Sequence, residues 1–364
     1  MERSSMEKQQ IGLLTFYHVL NYGALLQCFA LQETIKELAG NCTIIPYKCP
    51  RLTENDRLIS FQKLNPKTIA KWISQGYGTY KKKQAFLNFS RKYLNLPKQM
   101  LWDNYETIIV GSDQVWNLTL TGNDYTYFLE NMKCRKIAYA ASFGEDHIPS
   151  YMEKRLINGI KGFSKISFRE KITCQYLDSF GIVSSAVADP VFLPDIKIWH
   201  RLADQASTSR PEHYILVYCV EKSEEVFSYA YKLSRKYQYP VIYLNQNFFF
   251  KKKGFIYKRG ASPIDFLSYI READFIVTNS FHGTAFSILF EKQFASDALW
   301  HGSVNKRLNQ LLSTAGLENR TIQILSKSSQ IEGDSICYEA PQKALARQRA
   351  YSIEYLKNAL GDSI

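Results

Sequence analysis

Short apolar runs alternate with stretches of helical spacing in both halves of the chain. Ile11-Gly-Leu-Leu-Thr-Phe16 has the length and composition of a buried strand, Asn21-Tyr22-Gly23 breaks it, and Ala24, Cys28, Leu31, Ile35 and Leu38 then recur at helical spacing up to Gly40. Further strands are expected at residues 43–47, 107–110, 136–141, 165–168 and 186–188. A polar stretch over 203–213, with Pro211 inside it, reads as a connection, and the pattern restarts with strands at 214–220, 240–244, 274–278 and 293–296. Ser262 caps a helix whose first turn holds Pro263 and whose inner face is Phe266, Leu267 and Ile270. A last helix is expected over 344–360, with Leu345, Tyr351, Ile353, Tyr355 and Leu356 giving it a partly apolar surface suited to packing back across the first lobe. Strand and helix in alternation predict mainly parallel sheets covered on both faces. The expected fold is therefore α/β, with two Rossmann-like, doubly wound lobes facing a cleft and ligands held at the carboxyl ends of the strands.

A length of 364 residues suits two cores rather than one. The expected boundaries are 1–202 for an acceptor-side lobe with a basic helical insert over 61–100, 203–340 for a donor-side lobe, and 341–364 for the C-terminal helix. Apolar residues at 45% and charged residues at 22% are ordinary for a folded protein, and no apolar run reaches the roughly 18 residues a membrane span needs. A cytoplasmic location, with possible peripheral contact at the inner face of the membrane, is the resulting expectation. The seven cysteines are scattered without a CxxC pair or a zinc-like spacing, which points to reduced thiols and no metal.

The net charge of +12 is unevenly placed. Nine Lys or Arg and no acid lie between residues 61 and 100, and Lys251–Lys253 with Lys258 and Arg259 form a second group. Such patches attract anions, whether a phosphorylated substrate or an anionic membrane. No nucleic-acid-binding signature accompanies them, so nucleic acid is not an expected partner. A lysine-rich solvated helix surface accounts for the same charges.

Three segments carry candidate chemistry. In Asn21-Tyr-Gly-Ala-Leu-Leu-Gln27, Gly23 permits a tight turn and the opening of the helix offers N–H groups to a sugar oxygen or an anion, which makes Asn21, Tyr22, Gly23 and Gln27 acceptor-side candidates. Thr107-Ile-Ile-Val-Gly-Ser-Asp-Gln-Val-Trp-Asn117 runs from a buried strand into polar groups. There Asp113 is a candidate base for an attacking sugar hydroxyl, Ser112 and Gln114 are candidate acceptor contacts, and Trp116 offers a face for a sugar to stack on. An Asx-type turn explains Ser112 and Asp113 equally well. In Thr278-Asn-Ser-Phe-His-Gly-Thr284, His282 stands where a helix begins, able to donate to a phosphate oxygen or act as a general acid, with Ser280, Gly283 and Thr284 around it.

Gly-Ser-Asp-Gln-Val-Trp-Asn, Ser167-Phe-Arg-Glu170, Asp189-Pro190 and Thr278-Asn-Ser-Phe-His-Gly283, in this order, resemble the polysaccharide pyruvyltransferase family. The resemblance implies a fold similar to GT-B glycosyltransferases, phosphoenolpyruvate as donor, no metal or organic cofactor, and a surface polysaccharide or its lipid-linked precursor as acceptor. It also implies donor-binding and catalytic roles for Arg169 and His282. Many members carry an arginine where this chain has Ser280. A serine cannot grip an anion as a guanidinium does, so Lys306 and Arg307 are candidate replacements, although exposed charges on a helix start would look the same. Two other readings stand beside this one: a GT-B glycosyltransferase using a nucleotide sugar, and a non-enzymatic lipid- or glycan-binding adaptor using the basic patches.

Overall fold

Among the described residues every strand pairing is parallel, and the strands fall into two sheets. The computed structural model describes residues 10–55, 66–144, 148, 150–244, 254–298, 303–328 and 334–361. The first sheet holds β1 (Ile11–Leu14), β2 (Thr43–Ile44), β3 (Thr107–Val110), β4 (Arg135–Ala141), β5 (Lys165–Phe168) and β6 (Ser185–Ala186), in the order β2-β1-β3-β4-β5-β6. The second holds β7 (Ile215–Tyr218), β8 (Val241–Leu244), β9 (Phe255–Lys258), β10 (Phe275–Thr278) and β11 (Gln293–Ser296), in the order β11-β10-β7-β8-β9. Helices α1 (Tyr22–Ala39), α2 (Pro50–Asn55), α3 (Pro66–Tyr93), α4 (Leu118–Thr121), α5 (Ser150–Ile160), α6 (Lys171–Asp178) and α7 (Ile196–Ala203) belong to the first half. Helices α8 (Glu224–Tyr237), α9 (Pro263–Glu272), α10 (Phe281–Leu289), α11 (Ser303–Ala315), α12 (Ile322–Leu325) and α13 (Glu339–Gly361) belong to the second.

The α/β doubly wound architecture expected from the alternating pattern is present. β1, β3, β7, β8 and β10 are buried along their whole length, which is why they read as continuous apolar runs rather than as alternations. In each sheet the strand order reverses once, between β1 and β3 and between β7 and β10. Ligands gather at the carboxyl ends of strands at such a reversal. One apolar cluster runs without a break from α1 in the first half to α9 and α10 in the second, and a further cluster covers the outer face of each sheet.

Three departures from the sequence reading have local causes. The strand expected over 43–47 stops at Ile44, because Pro46 has no N–H to give to the ladder. β9 was not expected: it is a partly exposed edge strand whose apolar Phe255-Ile-Tyr257 run follows directly on a lysine-rich stretch that reads as surface. The C-terminal helix begins at Glu339, five residues before the expected start, with Pro341 in its first turn where a missing N–H costs nothing. It reaches back to the first sheet, where Ala188 N donates to Ser352 Oγ at 2.8 Å and Arg349 Nε donates to Leu193 O at 2.7 Å. In the basic segment, Lys81, Lys83, Arg91, Lys92 and Lys98 are exposed, whereas Lys82 is buried with its ammonium 4.5 Å from the centre of the Tyr22 ring. Lys251–Lys253 and residues 61–65 lie outside the described residues.

Candidate active site

The carboxyl ends of β3, β5 and β10 bring Asp113, Arg169 and His282 to one place, and the short segment after β6 adds Asp189. Arg169 is the hub on the first-lobe side. Its Nη2 donates to Ser112 Oγ at 3.0 Å, its Nη1 lies 3.0 Å from Asp189 Oδ2, and Asp113 Oδ1 is 3.9 Å away. His282, on the first turn of α10, points its Nε2 at the same Asp189 oxygen from 3.6 Å. The second lobe also contributes α11. Its Arg307 Nε stands 3.4 Å from Glu170 Oε1, and its Gln310 amide donates to the Arg169 carbonyl at 2.8 Å.

Polar atoms here are buried beyond what their partners satisfy. Arg169 Nε and Nη1, Glu170 Oε2, Asp189 Oδ2, His282 Nε2 and Arg307 Nε are all shut off from solvent without a well-aligned hydrogen bond. The separations around Asp189 Oδ2 are those of ion pairs, but the N–H bonds do not point along them. Native interiors hold only a few such atoms per hundred residues, so six gathered in one cluster mark a place suited to a ligand. Burial would raise the Asp189 carboxyl, but the charges of Arg169 and His282 override it and hold the group well below the usual carboxylate range. Burial, reinforced by the Arg169 charge, pulls the Arg307 guanidinium below its ordinary value, against the pull of Glu170, Asp113 and Asp189. Beside the cluster a cavity of about 30 Å³, lined by Arg169, Asp189, Phe281, Arg307 and Gln310, has room for a water and not for a three-carbon phosphate.

Gly23 explains how His282 gets there. It lies inside α1 rather than in a turn, and a Cβ on it would fall 1.9 Å from His282 Nδ1. Its lack of a side chain is the space the imidazole occupies. Gly23→Ala is therefore expected to displace the ring and lower turnover by at least about tenfold while the protein stays folded; steady-state rates alongside a circular dichroism melt check both parts.

Several acceptor-side candidates are structural instead. Asn21 caps α1 by accepting from Ala24 N at 3.2 Å. Tyr22 is buried between the lobes, stacked on Phe266 at 4.6 Å with its hydroxyl donated to Ala261 O at 2.8 Å. Gln27 is fully buried; its amide donates to Ala24 O and Thr15 Oγ1, and its carbonyl accepts the Ser112 hydroxyl. Ser112 thus reaches the site only through Arg169. Trp116 is fully buried among Phe128, Phe143, Phe163 and Phe168, its indole N–H spent on Tyr127 O, so no sugar can stack on it. Gln114 accepts from Asn117 Nδ2 at 2.9 Å and braces the loop after β3.

The donor-side candidates divide as well. Ser280 caps α10, accepting from Gly283 N at 3.2 Å, and Thr284 N donates to Ser280 O, so neither N–H is available to a phosphate. The Thr284 hydroxyl is paired with Ser296 Oγ at 2.7 Å. Gly283 is needed because a Cβ would meet Thr278 Oγ1 at 2.5 Å. On α11 Lys306 is exposed while Arg307 turns inward, so of the two it is Arg307 that joins the cluster. The residues the sequence reading left without a role are Asp189, Glu170 and Gln310. The first two sit inside the quoted motifs, in the short segments just after β5 and β6; Gln310 gave no sequence signal. All seven cysteines are free, and burial pushes the Cys28 and Cys42 thiols up, away from nucleophilic thiolates.

A family model described as polysaccharide pyruvyl transferase matches residues 21–296, well over half of the chain and every element that supplies the cluster except α11. The chain belongs to the polysaccharide pyruvyl transferase family. Membership makes it a transferase and implies a saccharide acceptor. No curated protein matches it. Among solved structures it is similar to a putative UDP-N-acetylglucosamine 2-epimerase from Listeria monocytogenes (11% identity, 95% of this chain and 97% of that one, TM-score 0.48). It is also similar to the UDP-GlcNAc 2-epimerase of Neisseria meningitidis (9%, 96% and 99%, 0.48) and to the glycosyltransferase SnogD from Streptomyces nogalater (9%, 98% and 98%, 0.39). No described helix of this family member is long and apolar enough to cross a membrane.

Proposed function

We propose that this polysaccharide pyruvyl transferase moves the enolpyruvyl unit of phosphoenolpyruvate onto a saccharide, releasing phosphate and closing a pyruvate ketal, without a metal or organic cofactor. The observation that carries the reading is the convergence of Arg169, Arg307 and His282 from two lobes on one buried, under-bonded spot. A small donor with a carboxylate and a phosphate would complete those bonds. Protonation of the donor methylene makes it a methyl and leaves the central carbon cationic. One sugar hydroxyl adds there, the carbon–oxygen bond to phosphate breaks, and a second hydroxyl closes the ring. Of the two protons the hydroxyls lose, one balances the methyl and the other leaves with phosphate. His282 serves as the acid, Arg169 and Arg307 hold the anion, and Asp113, beside Arg169, is the base. Entry of the donor requires α11 to draw Arg307 and Gln310 away from the end of β5, a lobe opening of the usual kind. The exposed lysines and arginines of α3 and the segment after it suit peripheral contact with an anionic membrane where a lipid-linked acceptor is presented.

A nucleotide-sugar donor fits less well. In the second lobe the helix that follows β7 at the strand reversal is α8. Its start carries Glu224 and Glu225, and its cap, Ser223, donates to Asp297 Oδ2 at 2.8 Å. Carboxylates at a helix N-terminus repel a diphosphate. Phosphoenolpyruvate, and neither UDP nor GDP, is expected to raise the melting temperature, and galactose- or mannose-containing acceptors should release phosphate and gain a ketal. Stabilisation by UDP or GDP instead would replace the proposal with a glycosyltransferase. His282→Ala is expected to lower phosphate release by about 100-fold, the size of effect lost with a general acid.

A further inference from the structure

With the first acceptor candidates either buried or spent on capping and bracing contacts, the sugar needs another place to lie. An open groove of about 640 Å³ runs between α2, α4 and the start of α5. It is formed by the segments that follow β2, β3 and β4, so it lies at the carboxyl end of the first sheet, the same end as Asp113 and Arg169. The loop that begins at the site leads into it. Ser112 binds Arg169; Gln114 holds Asn117; and Asn117 caps α4, accepting from Leu120 N at 3.0 Å. Gly144 packs so closely on this turn that a Cβ would sit 2.2 Å from Asn117 Nδ2, which keeps the link tight.

The lining suits carbohydrate. Tyr151 is 80% exposed on the groove, the most exposed tyrosine among the large apolar residues at the described surface. Around it Arg51, Thr119 and Asn123 are exposed, whereas Asp124 is already engaged by the Tyr47 hydroxyl at 2.7 Å. A sugar has an apolar C–H face for an aromatic ring and a rim of hydroxyls for amide, hydroxyl and guanidinium groups. A groove with one bare ring and a polar edge matches that pattern, and its openness suits a chain that continues past the reacting residue.

We propose that this groove holds the acceptor saccharide, with Tyr151 as the stacking platform and Arg51, Thr119 and Asn123 reading its hydroxyls; this rests on the pyruvyl-transfer reading above. Tyr151→Ala, at an exposed position, is expected to raise the KM for a galactosyl or mannosyl oligosaccharide about tenfold while the KM for phosphoenolpyruvate stays within about twofold. Arg51→Ala with Asn123→Ala should add about another tenfold to the acceptor KM. Tyr151→Trp supplies a reading that needs no turnover, because its fluorescence should change saturably as the same oligosaccharides are added. If that signal appears and phosphoenolpyruvate is never consumed, the groove stands and the pyruvyl reading falls. Unchanged acceptor KM in both alanine variants, or a Tyr151→Trp fluorescence indifferent to every oligosaccharide, overturns the groove.

Discussion

Arg169→Ala is expected to lower kcat/KM by about 1000-fold, and Arg169→Lys to recover little of it. The guanidinium is nearly sealed from solvent, at 4% side-chain exposure, and spreads over three partners, Ser112, Asp189 and Asp113. An ammonium is a single charge point and cannot span Ser112 Oγ and Asp189 Oδ2 at once. The loss is of the size seen when one preorganised electrostatic contact to a developing charge is removed. The gap left by alanine is also a hole in an ionic cluster, depriving Asp189 of the guanidinium 3.0 Å from its Oδ2, so some melting-temperature loss accompanies the rate loss. Separating the two requires the phosphoenolpyruvate dependence: a folded variant should also lose stabilisation by phosphoenolpyruvate. A variant that keeps both its rate and that stabilisation removes Arg169 from the donor site.

The fold was legible because its central strands are buried on both faces, so each of those appears as an unbroken apolar run followed by small or polar residues. The motif positions were legible for the same reason, since a strand end is where polarity changes. Roles were harder to read. Asn21, Gln27 and Trp116 sit in the right segments, but Asn21 is spent on capping α1 and the other two turn inward, and a sequence does not say which way a side chain on a loop or first helical turn faces. Gly23 was selected as a turn former and acts as a hole for His282, a residue more than 250 positions away in the chain. Asp189 was visible inside its motif, yet what distinguishes it is the pair of basic side chains that reach it, one from each lobe. Such long-range pairings are fixed by how two sheets close on each other, and no spacing within one segment encodes that.

Asp189→Asn tests this convergence directly and should act on both stability and rate. The carboxylate is the shared counter-ion of Arg169 and His282, at 3.0 and 3.6 Å, and is itself 1% exposed. Its neutral amide leaves a buried guanidinium short of a partner, a loss on the order of 3 kcal/mol when an enclosed pair is broken. The melting temperature at neutral pH should therefore fall by several degrees. The sign with pH follows from the depressed carboxyl: the stability Asp189 contributes is fully present above the unfolded value near 3.9 and is lost as pH falls from there toward its folded value. The parent protein should lose melting temperature steeply below about pH 4, and the asparagine variant less steeply, so the two curves converge on acidification. Turnover should fall about 1000-fold, because neither the acid nor the anion clamp is then held in place. Asp189→Glu should restore the acid sensitivity without the rate, since the longer side chain keeps the charge but moves the oxygen on which both lobes meet. Parallel stability curves for parent and asparagine variant, together with near-normal turnover, would show that Arg169 and His282 do not depend on this carboxylate.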